Sequence, residues 1–290
     1  MLDKEKPDIA SIVTPPNFHF PMTLAALSRG IHVICEKPFA LNVEEARQMK
    51  AAADHTNVVA MIDFEFRFLP ARAYATDLIR RGFVGEVRMA DFLVHFGIRS
   101  KSEDVAWDWW SDDTQGGGIL GAYGSHIVDT LRLLMGPPRR LVGDHVTFVK
   151  ERSGQSVTSD DSYQLLMEFQ SGSRAVVQLT QAAGVTDAKF GIYGTGGQLI
   201  IPSIYGTELL GGKRGDKSVG LIEIPAEYRL AAEALPLQPP FRALLSRFIE
   251  AIDNNLPSPS PNFEDAVASQ VILDAARVSA KKSEWIELPT

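Results

Sequence analysis

The sequence predicts a chain of two unlike parts: an α/β unit with a parallel sheet, then an α+β unit with a large open, mainly antiparallel sheet and flanking helices. Three observations carry that reading. Between Asp8 and Phe66, short and nearly continuous apolar runs alternate with helical stretches, the pattern of strands buried on both faces. Beyond Gly85 the apolar residues instead alternate with polar ones and turn residues separate the runs. Two further helical stretches close the chain.

The elements follow in order. IASIVT reads as a strand, FPMTLAALSRG as a helix closing on Gly30, IHVICE as a strand, NVEEARQMKAAADH as a helix and VVAMIDFEF as a third strand. Asn42 followed by Glu45 predicts a capping box, which starts the second helix there and leaves Lys37 and Pro38 in the preceding loop. PARAYATDLIRRG predicts a helix, after which VRMADFLVHF, LVGDHVTFVK, SYQLLMEFQ, RAVVQLTQ and AKFGIYG predict an antiparallel sheet with SGS and GTGG as turns. One helix, GAYGSHIVDTLRLLMG, interrupts the strands. FRALLSRFIEAIDN and NFEDAVASQVILDAARVSAKK supply two more helices, joined by the short LPSPSP loop. We place the division at 1–66 and 67–290.

Composition narrows the function. With 45% hydrophobic and 22% charged residues in a length of 290, the chain is of ordinary globular type. A net charge of -7 argues against nucleic acid or an anionic membrane surface as partner, and for a small-molecule substrate. One cysteine forms no internal disulfide, the first residues lack the apolar core of a signal peptide, and no run is long enough for a membrane span, so a cytoplasmic protein is expected.

In an open α/β sheet ligands bind beyond the carboxyl ends of the strands. Three loops hold those ends: TPPNFH from Thr14 to His19, EKPF from Glu36 to Phe39, and EFRFLPA from Glu65 to Ala71. Lys37 alone would suit a solvated turn. Three polar strand ends in succession favour a site. The second candidate is QGGGILGAYGSHIVDTL, where His126 and Asp129 share a helical face with Ala122. A helical histidine is commonly a packing residue, but Gly116 to Gly118 permit a close backbone approach, and histidine titrates near neutral pH. GTGG has no helix after it and reads as a hairpin turn, not a phosphate loop. His32 and Cys35 fall on opposite faces of a strand, so no metal site is expected there or elsewhere.

DIASIVTPPNFHFPMTLAALSRGIHVICEKPFAL, FRFLPA, GGGILGAYGSHIVD and PNFEDAVASQVILDAARVSA, in that order, resemble the Gfo/Idh/MocA family of NAD(P)-dependent oxidoreductases over essentially the whole chain. The resemblance implies a Rossmann domain joined to a domain whose open sheet forms a homo-oligomer interface, and NAD or NADP as cofactor. It makes Lys37 the catalytic lysine and His126 the acid or base on a substrate hydroxyl. Thr14, Pro15, Pro16, His19, Glu36, Lys37, Pro38 and Arg67 would contact the cofactor. Lys37, Arg67, His95, Trp107, Trp109, Tyr123, His126 and Asp129 would line a pocket for a sugar, cyclitol or related polyol, although WDWW also suits packing under a loop.

The sequence departs from the family pattern twice. Ala122 stands where many members carry an aspartate, leaving the acid/base pair incomplete, with Asp129 one turn away to orient His126 or support packing. IASIVT resembles the fourth Rossmann strand, which implies that the glycine-rich turn and half of the pyrophosphate crevice, on the order of 60 to 80 residues, belong ahead of this sequence. An amino-terminally incomplete sequence, weak cofactor binding by this chain and an exposed apolar strand edge are therefore expected. Two other readings remain: a non-catalytic binding or assembly protein that has lost the cofactor site, and an NAD-dependent glycosidase-like relative.

Overall fold

The apolar runs of the first part form a parallel sheet, as the pattern predicts. In the structure, a computed structural model describing residues 1–231 and 235–289, a short α1 (Leu2–Glu5) precedes β1 (Ile9–Ile12). Then come α2 (His19–Leu27), β2 (His32–Cys35), α3 (Val43–Asp54) and β3 (Ala60–Ile62), with the strands parallel in the order β1-β2-β3. Alternation sends Val33, Cys35, Ala60 and Ile62 to one core with Leu27 and Met49. Ile34, Val59 and Met61 go to another, against Leu244 and Phe248. Both faces of the sheet are thus covered, which is why its strands read as continuously apolar. β1 is an edge strand: Ile12 is buried, Ser11 is exposed, and Val13 just beyond is 69% exposed.

Two local expectations change here. The third strand stops at Ile62, and residues Glu65–Phe68 form a 3₁₀ turn, so Phe64, Glu65 and Phe66 leave the sheet. Asn42 caps α3 as expected by accepting from the Glu45 N–H at 3.0 Å, but the Glu45 carboxylate accepts from Leu41, one residue short of a closed box.

α4 (Pro70–Arg80) leads into β4 (Val87–His95), and a π turn at Leu120–Gly124 runs into α5 (Ser125–Met135). After β5 (Pro138–Val146), a small ribbon of β6 (Glu151–Arg152) and β7 (Gln155–Ser156) precedes β8 (Ser162–Phe169) and β9 (Arg174–Thr180). Next come β10 (Asp187–Gly194), β11 (Gly197–Ile201), β12 (Leu210–Lys213) and β13 (Gly220–Leu221). α6 (Gln238–Asp253), α7 (Phe263–Lys282) and β14 (Ile286–Glu287) close the chain. The large sheet has nine strands in the order β13-β12-β11-β10-β4-β9-β8-β5-β14. GTGG is the hairpin turn between β10 and β11. One pairing departs from the antiparallel expectation: β4 and β9 run parallel at the centre. Alternation within a strand reports its faces and not its neighbour's direction, so the pattern contained no sign of this.

One face of the large sheet packs on α5 and α7 through Phe92, Val94, Leu165, Val177, Ile127, Leu131 and Leu273. The other is open. Leu166 and Val176, paired in register, are 38% and 40% exposed, and Met89 is 49% exposed. The capping box of α7 is complete: Asn262 accepts from the Asp265 N–H, and Asp265 accepts from the Asn262 N–H.

Candidate active site

The carboxyl ends of β2 and β3 and the first turns of α5 meet at one buried spot. The Lys37 side chain reaches from the loop after β2 and donates to the carbonyl oxygen of Ala122 at 3.2 Å. Asp63 and Glu65 follow β3 with 5% and 6% exposure. α5 brings in His126, 1% exposed, with its ring stacked on Phe66 at 3.9 Å between centroids. Tyr123 stands edge-on to both Phe66 and His126.

Several polar atoms in this spot are buried without a protein partner: both ring nitrogens of His126, Glu65 Oε2, Asp63 Oδ1 and the Tyr123 hydroxyl. Nε2 of His126 and Oε2 of Glu65 are 3.7 Å apart, too far for a hydrogen bond. Buried polar groups are generally satisfied, so unpaired atoms gathered in one place mark where a polar ligand is accepted.

The electrostatics follow from burial. His126 is held well below its ordinary value by desolvation, with Lys37 and Arg72 adding to the effect, so the resting ring is neutral. This corrects the expectation of titration near neutral pH. Burial also pushes Asp63 and Glu65 above the carboxylate range, and the nearby Glu36 adds to both shifts. Burial raises the Tyr123 phenol to about 12 against the opposing charge of Arg72. The Arg72 guanidinium lies over the rings of Phe66 and Phe190 at 4.7 and 4.4 Å, with one N–H given to the Ile204 carbonyl.

The other anticipated residues divide. His19 is fully buried, its ring nitrogens 3.0 Å from the Pro38 carbonyl oxygen and 2.8 Å from that of Thr14, so it ties the first two strand-end loops together. Glu36 accepts from the Lys37 N–H at 3.1 Å. Pro16 packs against Gly116, where an added Cβ would come within 2.7 Å of the proline ring. The glycine run therefore does not hold space open for a ligand. Gly116 is closed against Pro16 and Leu41, and Gly118, at φ +104°, against Asp160. Pro15 lies half-buried between Thr14 and Pro16.

Arg67 and Asp129 form a structural bridge. The guanidinium clasps Asp129 through two hydrogen bonds of 2.7 and 2.5 Å and also meets Asp265 at 3.0 Å and Ser260 at 2.6 Å. Asp129 thus engages Arg67 instead of orienting His126. His95 lies on the open face of the large sheet, since Val94 beside it points into the core. Trp107 donates to the Ser156 carbonyl, and Trp109 tilts against Trp110, which joins the main core. These contacts are loop packing, and none joins either ring to Lys37 or His126. A cleft of about 700 Å³ opens at the amino ends of β2 and β3, lined by His32, Lys50, Asp54, Val58 and Glu264, and holds none of the anticipated residues. His32 accepts there from the Val59 N–H at 2.8 Å.

Asp63 and Arg72 escaped the sequence reading, and Glu65 was placed in a strand-end loop without a role. The available signal was two carboxylates two apart inside the apolar stretch MIDFEF, charges placed where burial is otherwise continuous.

Residues 1–64 match a family model described as "Oxidoreductase family, NAD-binding Rossmann fold". Residues 73–200 match "GFO/IDH/MocA C-terminal domain". A parallel sheet joined to a broad open one, together with these two matches, marks an α/β oxidoreductase. The chain belongs to the Gfo/Idh/MocA family. It is 28% identical to an uncharacterised oxidoreductase of Synechocystis, covering 96% of this chain and 78% of that protein. It is also 28% identical to the levoglucosan dehydrogenase of Pseudarthrobacter phenanthrenivorans, covering 98% and 81%. A solved levoglucosan dehydrogenase in complex with NADH and levoglucosan superposes with a TM-score of 0.88 at 25% identity, over 98% of this chain and 80% of that one.

Proposed function

We propose that this chain is an NAD-dependent dehydrogenase of a sugar, cyclitol or related polyol, with Lys37 and His126 at the reacting carbon. The observation that supports the reading is that half-buried Lys37 reaches the Ala122 carbonyl, one helical turn before buried His126, amid unpaired polar atoms. Similarity to levoglucosan dehydrogenase supports the polyol class.

The unpaired polar atoms fit the nicotinamide end of the cofactor and a hydroxyl-bearing substrate. Thr14, Pro15, Pro16, Glu36 and Pro38 would hold that end, with His19 keeping their two loops in place. Bound there, NAD would supply the hydride acceptor for the reacting carbon. Lys37 polarises the substrate oxygen while neutral His126 takes the hydroxyl proton. The aromatic walls formed by Phe64, Phe66 and Tyr123 keep water from the transfer. The division of labour follows residues 1–66 for cofactor and 67–290 for substrate. The open face around Leu166, Val176 and Met89 is proposed to pair with a second copy.

The test is direct. The chain is mixed with NAD and a panel of anhydrosugars, glucosides and inositols, and reduced nicotinamide is followed by absorbance. Turnover of at least one polyol is expected once NAD is raised to offset the weak cofactor binding anticipated for this chain. No turnover with any of them, together with no binding of NAD or NADH by calorimetry, overturns the reading. Light scattering reports the oligomer, and a monomer at working concentration rules out the proposed pairing.

A further inference from the structure

The acid–base site contains more charge than a lysine and a histidine account for. No carboxylate stands at position 122, one helical turn before His126, and the Ala122 carbonyl oxygen takes the Lys37 ammonium instead. The carboxylate near His126 is Glu65, carried in from β3, with its unpartnered Oε2 3.7 Å from the unpartnered Nε2. A hydroxyl oxygen about 2.8 Å from each would bridge that gap, giving its one proton to one side at a time. Asp63, two residues before Glu65 and buried with it, has its proton affinity raised by burial and by the Glu65 charge, which favours one proton retained on the pair.

Every group facing this pair fits that proton count. Lys37 and Arg72 supply two positive charges and Glu36 one negative charge. His126 is neutral and the Tyr123 phenol stays protonated. With one proton on the Asp63–Glu65 pair, the pair carries one further negative charge and the buried cluster is neutral. With none it is left with an excess negative charge in a low-dielectric site, which is costly.

We propose that the substrate hydroxyl seats between Nε2 of His126 and Oε2 of Glu65, and that Glu65, with Asp63 behind it, is the final acceptor of the hydroxyl proton. The inference rests on the dehydrogenase reading above. The substrate O–H bond breaks and its proton passes to Nε2 and on to Glu65. The electron pair left on oxygen forms the carbonyl as the C–H pair leaves as hydride to NAD. Burial opposes a lasting charge on His126, so an onward acceptor completes the transfer. In polyol oxidation Glu65 must start ionised, and activity therefore rises with pH through the raised range of the pair.

The test compares the chain with Glu65→Gln, Glu65→Asp and Asp63→Asn. Glu65→Gln is expected to lower kcat on the order of 100-fold, with KM changed much less and the rise with pH abolished. Glu65→Asp keeps the acid, recovers part of the rate and guards against a folding artefact. Asp63→Asn, which acts through Glu65, moves the rise to higher pH, because Asp63 lowers the proton affinity of Glu65. Carboxyl ¹³C resonances should show a carboxyl proton retained to near neutral pH in the parent and lost in Glu65→Gln. Turnover of Glu65→Gln within threefold of the parent, with the pH profile unmoved, overturns the inference and leaves the dehydrogenase reading standing. A parent with neither turnover nor binding of NAD or NADH overturns that reading and this one with it.

Discussion

Replacing Asp129 with alanine isolates what the Arg67 clasp contributes. Asp129 is 1% exposed and Arg67 10%, so the loss leaves a guanidinium with little access to water. Breaking one side of a buried ion pair costs about 3–5 kcal/mol. Arg67 keeps Asp265 and Ser260 as partners, which places this change at the lower end, about 3 kcal/mol. For a chain of this length roughly 2 °C of Tm accompanies each kcal/mol, so thermal unfolding by circular dichroism should show a fall of about 6 °C. Exchanging both partners at once, Arg67→Met with Asp129→Leu, should recover most of it, since a packed apolar pair offsets a buried ionic one. The double-mutant cycle would then give a coupling of about 2 kcal/mol. A fall below about 1 °C, or an unchanged Tm with a raised KM for NAD, would refute the structural role and return Arg67 to the ligand.

Lys37→Met should lower turnover on the order of 100-fold with Tm within about 1 °C of the parent, because a single hydrogen bond to Ala122 is lost; activity surviving within a few-fold removes Lys37 from the chemistry. Asp63 and Glu65 have raised folded-state values, so their contribution to stability is complete below about pH 4 and is lost as pH rises through those values. His126, held low, works in the opposite sense, contributing fully above about pH 6.5 and losing that as pH falls. Asp63→Asn should therefore flatten the decline of Tm between about pH 5 and 8, and an unaltered slope would count against the buried pair. Gly118→Ala sets a Cβ against the Asp160 carboxylate at a positive φ and should cost about 2 kcal/mol or more in denaturant melts. Asn42→Ala should cost about 1 kcal/mol through the lost cap of α3.

The parallel sheet and the place of Lys37 were legible because β1, β2 and β3 are buried on both faces and the Asn42 cap marks where the loop must end. The helix carrying His126 was legible from its period. The parallel pairing of β4 with β9 was not, because strand direction leaves no trace in side-chain alternation. Nor was the role of Arg67, since a guanidinium after a strand reads alike whether it faces a ligand or a buried aspartate 62 residues away. His95 was misplaced by the same property that built the sheet: one step along a strand moves a side chain to the other face. Asp63 and Glu65 were hidden inside an apolar run, where a break in the strand at Ile62 brought Glu65 beside His126.

His19 sits between two carbonyl oxygens, those of Pro38 and Thr14, and burial lowers its affinity for a proton. A neutral imidazole has one N–H to give. The two loops proposed to hold the nicotinamide end therefore share a single tether. Whichever tautomer is present, one loop is fastened and the other rests against a lone pair. Acidification would supply the second N–H and fasten both, making this ring a clasp whose number of closed ends follows the pH.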